Sequence, residues 1–167
     1  MALAIAVAAL APRVAVAQLP CVRADRLDGQ PWVHHSRVLE SFPEVIPAPT
    51  VVGSFQDRDG QFWLRLWRDE QGYFGELASP ILEADSPTSR LRNLRWSAET
   101  RELSFAAAPT GVEFRMDGIL EEDRFVVARV SGKTVHGLVL LKEPQTWMSN
   151  WKSRAQFECA MELWRRQ

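Results

Sequence analysis

From Val51 to Lys142 the chain is a train of short apolar segments, interrupted every few residues by turn chemistry. The interruptions read Asp57-Arg58-Asp59-Gly60, Asp69-Glu70-Gln71-Gly72, Ser97-Ala98-Glu99-Thr100, Pro109-Thr110-Gly111, Glu121-Glu122-Asp123 and Ser131-Gly132-Lys133. Strand-length segments joined by loops this short predict consecutive antiparallel hairpins. The expected fold class is therefore all-β with one C-terminal α-helix: an antiparallel up-and-down meander of about eight strands, closed as a small barrel.

The alternation inside the segments says which faces are buried. Val112, Phe114, Met116, Gly118 and Leu120 fall on one face of their segment, with Glu113, Arg115 and Asp117 opposite. Such a pattern means one dry and one wet face. Leu103 and Phe105 share a face in the segment from Glu102 to Ala107, while Leu91 is expected opposite Leu94 and Trp96. Pro80 to Ser89 reads as the longest connection. Gly75, Gly118 and Gly137 interrupt strands, as glycines do at bulges and tight bends.

Three segments are apolar on both faces: Gln61–Arg68 with Trp63 and Trp67, the run around Phe125, Val126, Val127, Ala128 and Val130, and the run Val135, Leu138, Val139, Leu140, Leu141. Two-sided strands need a cover outside the sheet. The cover is expected to be a helix from Asn150 to Arg166, N-capped by Ser149, with Trp151, Ala155, Cys159 and Leu163 recurring every fourth residue. First and last strands are neighbours in a closed meander, so the helix is expected on one patch shared by all three segments. Trp63, Trp67, Trp147, Trp151 and Trp164 are then the seam between helix and barrel.

The N-terminal stretch is nearly all Ala, Val, Leu and Ile, and ends in Ala15-Val16-Ala17, a small-x-small pattern suited to signal peptidase. Its apolar run stops at Pro12-Arg13, too short for a permanent span, so no stable membrane span is expected after cleavage. An even pair of cysteines in an exported chain reads as a disulfide, here Cys21 with Cys159. The organisation expected is a signal peptide over residues 1–17, an extended Pro-rich arm over 18–50 with a short helical turn between Ser36 and Phe42, a barrel over 51–146 and a helix packed on it over 147–167. The expected destination is the bacterial periplasm or the medium.

Twenty basic residues against 21 acidic ones give a net charge of −1, which leaves no electrostatic footprint for nucleic acid. Signatures of catalysis are missing. There is no GxSxG, no Gly-rich phosphate loop and no metal-ligand spacing. His34 and His35 are adjacent on an extended segment and point opposite ways, so even with Asp25, Asp28 and Glu40 nearby they make a poor metal site. His136 is expected buried beneath the helix or arm, and Glu121-Glu122-Asp123 as a solvated turn. No catalytic residue, metal or cofactor is assigned, and the chain reads as a non-enzyme. The candidate binding residues are Trp96, Phe105, Phe114 and Met116, which would face the lumen. Their bulk favours an interior filled by its own side chains.

In these features the chain resembles the calycins, above all lipocalin-like barrels. Gly53-Ser54-Phe55 stands where that family carries Gly-x-Trp on its first strand, with Phe in place of Trp, and the family's later motifs have no counterpart here. The hairpin from Trp63-Leu64-Arg65-Leu66 to Gly72-Tyr73-Phe74-Gly75-Glu76-Leu77 is also similar to hairpins of small secreted bacterial barrels. The resemblance implies an exported barrel for a small hydrophobic ligand. The alternative is a protein-interaction module, an inhibitor or accessory factor of an exported enzyme, using the arm or the open barrel end.

Overall fold

The computed structural model describes residues 39, 42–79, 88–109, 111–144 and 148–165. Ten strands form one antiparallel sheet: β1 (Thr50–Asp57), β2 (Trp63–Asp69), β3 (Gly72–Ala78), β4 (Thr88–Arg90), β5 (Arg92–Trp96), β6 (Glu102–Ala107), β7 (Phe114–Leu120), β8 (Arg124–Val130), β9 (Lys133–Thr134) and β10 (Val139–Glu143). The order is β4-β3-β2-β1-β10-β8-β7-β6-β5, with β9 a two-residue return against β8. β1 pairs β10 from Ser54↔Glu143 to Asp57↔Leu140, which joins the first strand to the last. The two ends of the order, β4 and β5, are halves of one chain segment divided at Leu91. The expected meander of about eight strands is thus present, in a nearly closed barrel.

Two sequence details set how this segment divides. Thr88 and Ser89, expected in a loop, instead pair with Ala78 and Leu77 in β3. Beyond Leu91, whose N–H donates to the Gly75 carbonyl, the segment turns to β6, pairing Arg92 with Ala106 and Trp96 with Leu103. Between those pairs the register slips at Asn93, a non-glycine residue at φ 51°. An extra residue flips side-chain parity. For that reason Leu91, Leu94 and Trp96 all pack on the interior, against the expectation that Leu91 lies opposite the other two.

The interior is one apolar cluster built from alternate residues of nearly every strand, among them Phe55, Leu64, Leu66, Leu77, Leu103, Phe105, Met116, Phe125 and Leu140. Two glycines let neighbouring strands close in. A Cβ on Gly75 would strike the Arg65 carbonyl oxygen, and one on Gly118 the Val126 carbonyl oxygen. Gly118 sits beside a second slip, where Asp117 faces Arg129 but Gly118 faces Val127, leaving Ala128 over. This bulge turns Val130 inward, and Val135 and Leu138 follow it onto the core. Val112, expected on the β7 face, precedes the strand and is exposed, and Gly137 lies at φ 76° in the turn before β10.

The C-terminal helix runs from Arg154 to Arg165, a turn later than expected. Its N-cap is Ser153, whose Oγ accepts from the Gln156 N–H at 3.2 Å, while Gln156 Oε1 accepts from the Lys152 N–H at 2.8 Å. Ser149 instead anchors a ring of the sheet, its carbonyl accepting from the Trp67 indole N–H at 3.0 Å. The reciprocal side-chain and backbone bonds at Ser153 and Gln156 satisfy N–H groups that Ser149 cannot reach.

The helix covers β2 and β3, not the patch shared with the last strands. Trp67 and Phe74, opposite each other on the outer face, meet Trp151, Phe157, Ala160 and Met161. Ring centroids lie 5.1 Å apart for Phe74–Phe157 and 6.1 Å for Trp67–Trp151, contacts that each add about 0.5–1.5 kcal/mol beyond area burial. Four packed rings outcompete the smaller Val126, Val139 and Leu141, and Leu141 stays 49% exposed. Of the five seam tryptophans expected, Trp67 and Trp151 serve; Trp63 lies apart under the Arg65 guanidinium, 5.6 Å away, and Trp147 and the Trp164 side chain lie outside the described residues.

What is described of the arm runs along the helix. Leu39 packs on the aromatic seam and its carbonyl accepts from Gln156 Nε2, Phe42 joins Cys159 and Leu163, and the Val45 N–H donates to the Lys152 carbonyl. Cys159 is buried on this face; its expected partner Cys21 lies outside the described residues, as does the leader. No helix among the described residues is long and apolar enough to cross a membrane.

Candidate functional site

The four candidate residues share the interior but not one environment. Phe105 and Met116 face each other across β6 and β7 and are fully buried, with Phe125 5.9 Å from Phe105. Phe114 lies at one end of the barrel, edge-on to Phe62 at 6.0 Å. Trp96 lies at the other, half-buried, with its ring 5.2 Å from that of Tyr73. Three clefts on the described surface are lined by neither Phe105, Phe114 nor Met116; Trp96 lines two of them.

The largest of these clefts encloses about 710 Å³ and exists because of the split strand. β4 holds β3 through three residue pairs, Glu76↔Arg90 to Ala78↔Thr88. The Asn93 slip then carries β5 toward β6, so the stretch Gly72–Phe74 faces β5 across a gap instead of a ladder. Unpaired backbone must find other partners. Arg154 supplies one, donating to the Gly72 carbonyl at 3.0 Å and the Tyr73 carbonyl at 3.4 Å. The same guanidinium grips Asp69 through two bonds of 2.7 and 2.9 Å and lies 4.9 Å above the Phe74 ring. A planar fork with five donors suits this position better than a lysine would. The first residue of the helix thereby fixes one wall of the cleft.

Tyr73 and Trp96 form the apolar floor, one on each side of the gap, and around them stand Arg68, Arg90, Arg92 and Arg154. Arg90 meets Glu158 at 3.5 Å and Arg92 meets Glu113 at 2.9 Å, with all four side chains about half exposed. Exposed pairs of this kind contribute little stability and are readily exchanged for another partner. Arg68 differs, lying 5.6 Å over the Tyr73 ring without an ion pair among the described residues.

The chain matches no known protein family, no curated protein and no solved structure.

Other sequence candidates fall away from this cleft. His136 is exposed in the turn before β10, not buried beneath helix or arm, because the helix lies on β2 and β3. Glu121-Glu122-Asp123 is the β7–β8 turn; Arg124 forks onto Asp123 at 2.8 and 2.9 Å and holds that carboxyl below its ordinary value. His34, His35, Asp25, Asp28 and Glu40 lie outside the described residues. Tyr73 and Arg154, which build the cleft, are not recognisable as site residues in the sequence. Their sequence neighbourhoods are a hairpin and a helix start, and only the departure of β5 brings them to Trp96.

Proposed function

We propose that this chain is an exported, non-enzymatic barrel of the lipocalin-like kind that binds a small, largely apolar molecule. The binding place in this reading is the side cleft at Tyr73 and Trp96, not the axis of the barrel. One observation carries it: of the four aromatic and thioether candidates, Trp96 lines the cleft of about 710 Å³, and it does so with its ring 5.2 Å from that of Tyr73. Volumes of this size hold small organic ligands; here the two rings offer the apolar contact and the charged side chains around them the orientation. The apolar leader ending at Ala17 supports export, and a Cys21–Cys159 bridge would tie the start of the mature chain to the helix that walls the cleft.

Native mass spectrometry of the mature protein, purified from its own host without organic solvent, tests the reading. An extra mass that leaves on denaturation, and that Trp96→Leu fails to retain, is the expected result. A bare mass, together with tryptophan fluorescence unmoved by a panel of apolar compounds, would overturn it.

The second reading, an interaction module for an exported protein, is favoured by the arm. Val45 and Ile46 are exposed on it, Ile46 to 91%, beside Pro47. A partner captured from the host that is lost with Ile46→Asp and kept with Trp96→Leu would select this reading over the first.

A further inference from the structure

We propose that the side cleft selects an anion: a molecule with a flat apolar body lying against Tyr73 and Trp96 and a single acidic head, carboxylate or sulfonate, held by Arg68. The inference rests on the ligand-binding reading above and adds the chemical class of the ligand.

The charges lining the cleft do not balance. Four guanidiniums, Arg68, Arg90, Arg92 and Arg154, stand against two carboxylates, Glu113 and Glu158. Arg154 is matched by Asp69 behind the wall at 2.7 Å, and Arg90 and Arg92 by their two glutamates. The surplus is the one positive charge of Arg68. It lies over the Tyr73 ring at 5.6 Å, and Tyr73 in turn lies 5.2 Å from Trp96, so an acid it binds is held next to the aromatic pair. A guanidinium offers parallel donors to a carboxylate or sulfonate, and charge-assisted bonds of this sort are the strong ones. A cation-bearing ligand would meet the same surplus as repulsion, and a neutral one would leave it unused.

Two fluorescent probes sharing one body separate the head from the rest: anilinonaphthalene sulfonate and neutral phenylnaphthylamine, each titrated into the full chain. The sulfonate is expected to bind about tenfold or more tightly than the neutral probe. That advantage should vanish in Arg68→Gln, and shrink with added salt in the unsubstituted protein while the neutral probe holds its affinity. Trp96→Leu should weaken both. Arg68 is exposed, so its replacement leaves the fold intact, and the salt series on the unsubstituted protein tests the charge selection without any variant. Equal affinity for the two probes, or a sulfonate preference that survives Arg68→Gln, would overturn the anion selection and leave the ligand-binding reading standing. Failure of both probes to bind would remove the ligand-binding reading and this inference with it.

Discussion

Glu76 and Arg65 face each other across β3 and β2 on the outer side of the wall, 2.7 Å apart, and Glu76 is almost wholly buried. One oxygen of its carboxyl, Arg65 Nε and the neighbouring Trp63 indole N–H are buried without hydrogen-bond partners. Burial raises the Glu76 carboxyl above its ordinary value of 4.5, outweighing the hydrogen bond and charge of Arg65, which lower it. The folded protein therefore holds this proton more tightly than the unfolded chain does. The stability from that difference is full below the unfolded value and is lost as pH rises through the folded one. Glu76→Gln should remove this slope, so the melting temperature of the variant should gain on the unsubstituted protein as pH rises through the interval above the ordinary value of 4.5. A constant difference across that interval, by calorimetry, would count against a raised Glu76. Gly118 makes a second point at this scale, because its missing side chain is what lets β8 approach. Gly118→Ala should cost about 1–3 kcal/mol in urea unfolding through forced strand separation; an unchanged midpoint would mean the backbone yields freely there.

At the scale of elements, the strands are legible in the sequence and their offsets are not. Turn residues such as Asp69-Glu70-Gln71-Gly72 and the alternation of Phe114, Met116 and Leu120 mark hairpins and their inner faces locally, within a few residues. The slip at Asn93 carries no glycine or proline to announce it, yet it decides that Leu91 and Leu94 face the same way and that a cleft opens. The helix is legible as an amphipathic stripe, but a stripe says what it buries and not against which strands. Trp67 and Phe74 settle that through ring packing, which depends on three segments meeting in space. The stripe alone points to a start at Ser149 because Trp151 fits it, whereas Trp151 packs from just outside the helix. The distinction is measurable. Ser153→Ala should lose about 1 kcal/mol of stability, as N-cap removal does, and Ser149→Ala, which keeps the carbonyl that Trp67 uses, should be neutral. Equal losses in chemical denaturation would move the cap back.

For the whole molecule, a nearly closed sheet and a helix with its stretch of arm are two layers, and the proposed Cys21–Cys159 bridge would fasten the start of the mature chain to the second of them. The barrel has its own core, so Cys159→Ser should lower the melting temperature, by an amount up to about 5 kcal/mol in stability, and leave the β-rich circular dichroism spectrum in place. Loss of the spectrum would mean that the barrel depends on the staple. The sheet itself is uneven: seven residue pairs join β2 to β3, but only three join β3 to β4. Local opening is easier where fewer contacts must break, so the amides of Ser89 and Arg90 should exchange with deuterium well before those of Leu64 and Leu66. That thin seam and the Tyr73–Trp96 gap lie on the same side. Under the proposed reading, a guest at Trp96 would lie beside the stretch of wall that gives way most easily, so the grip on the guest and the firmness of the wall would be one property.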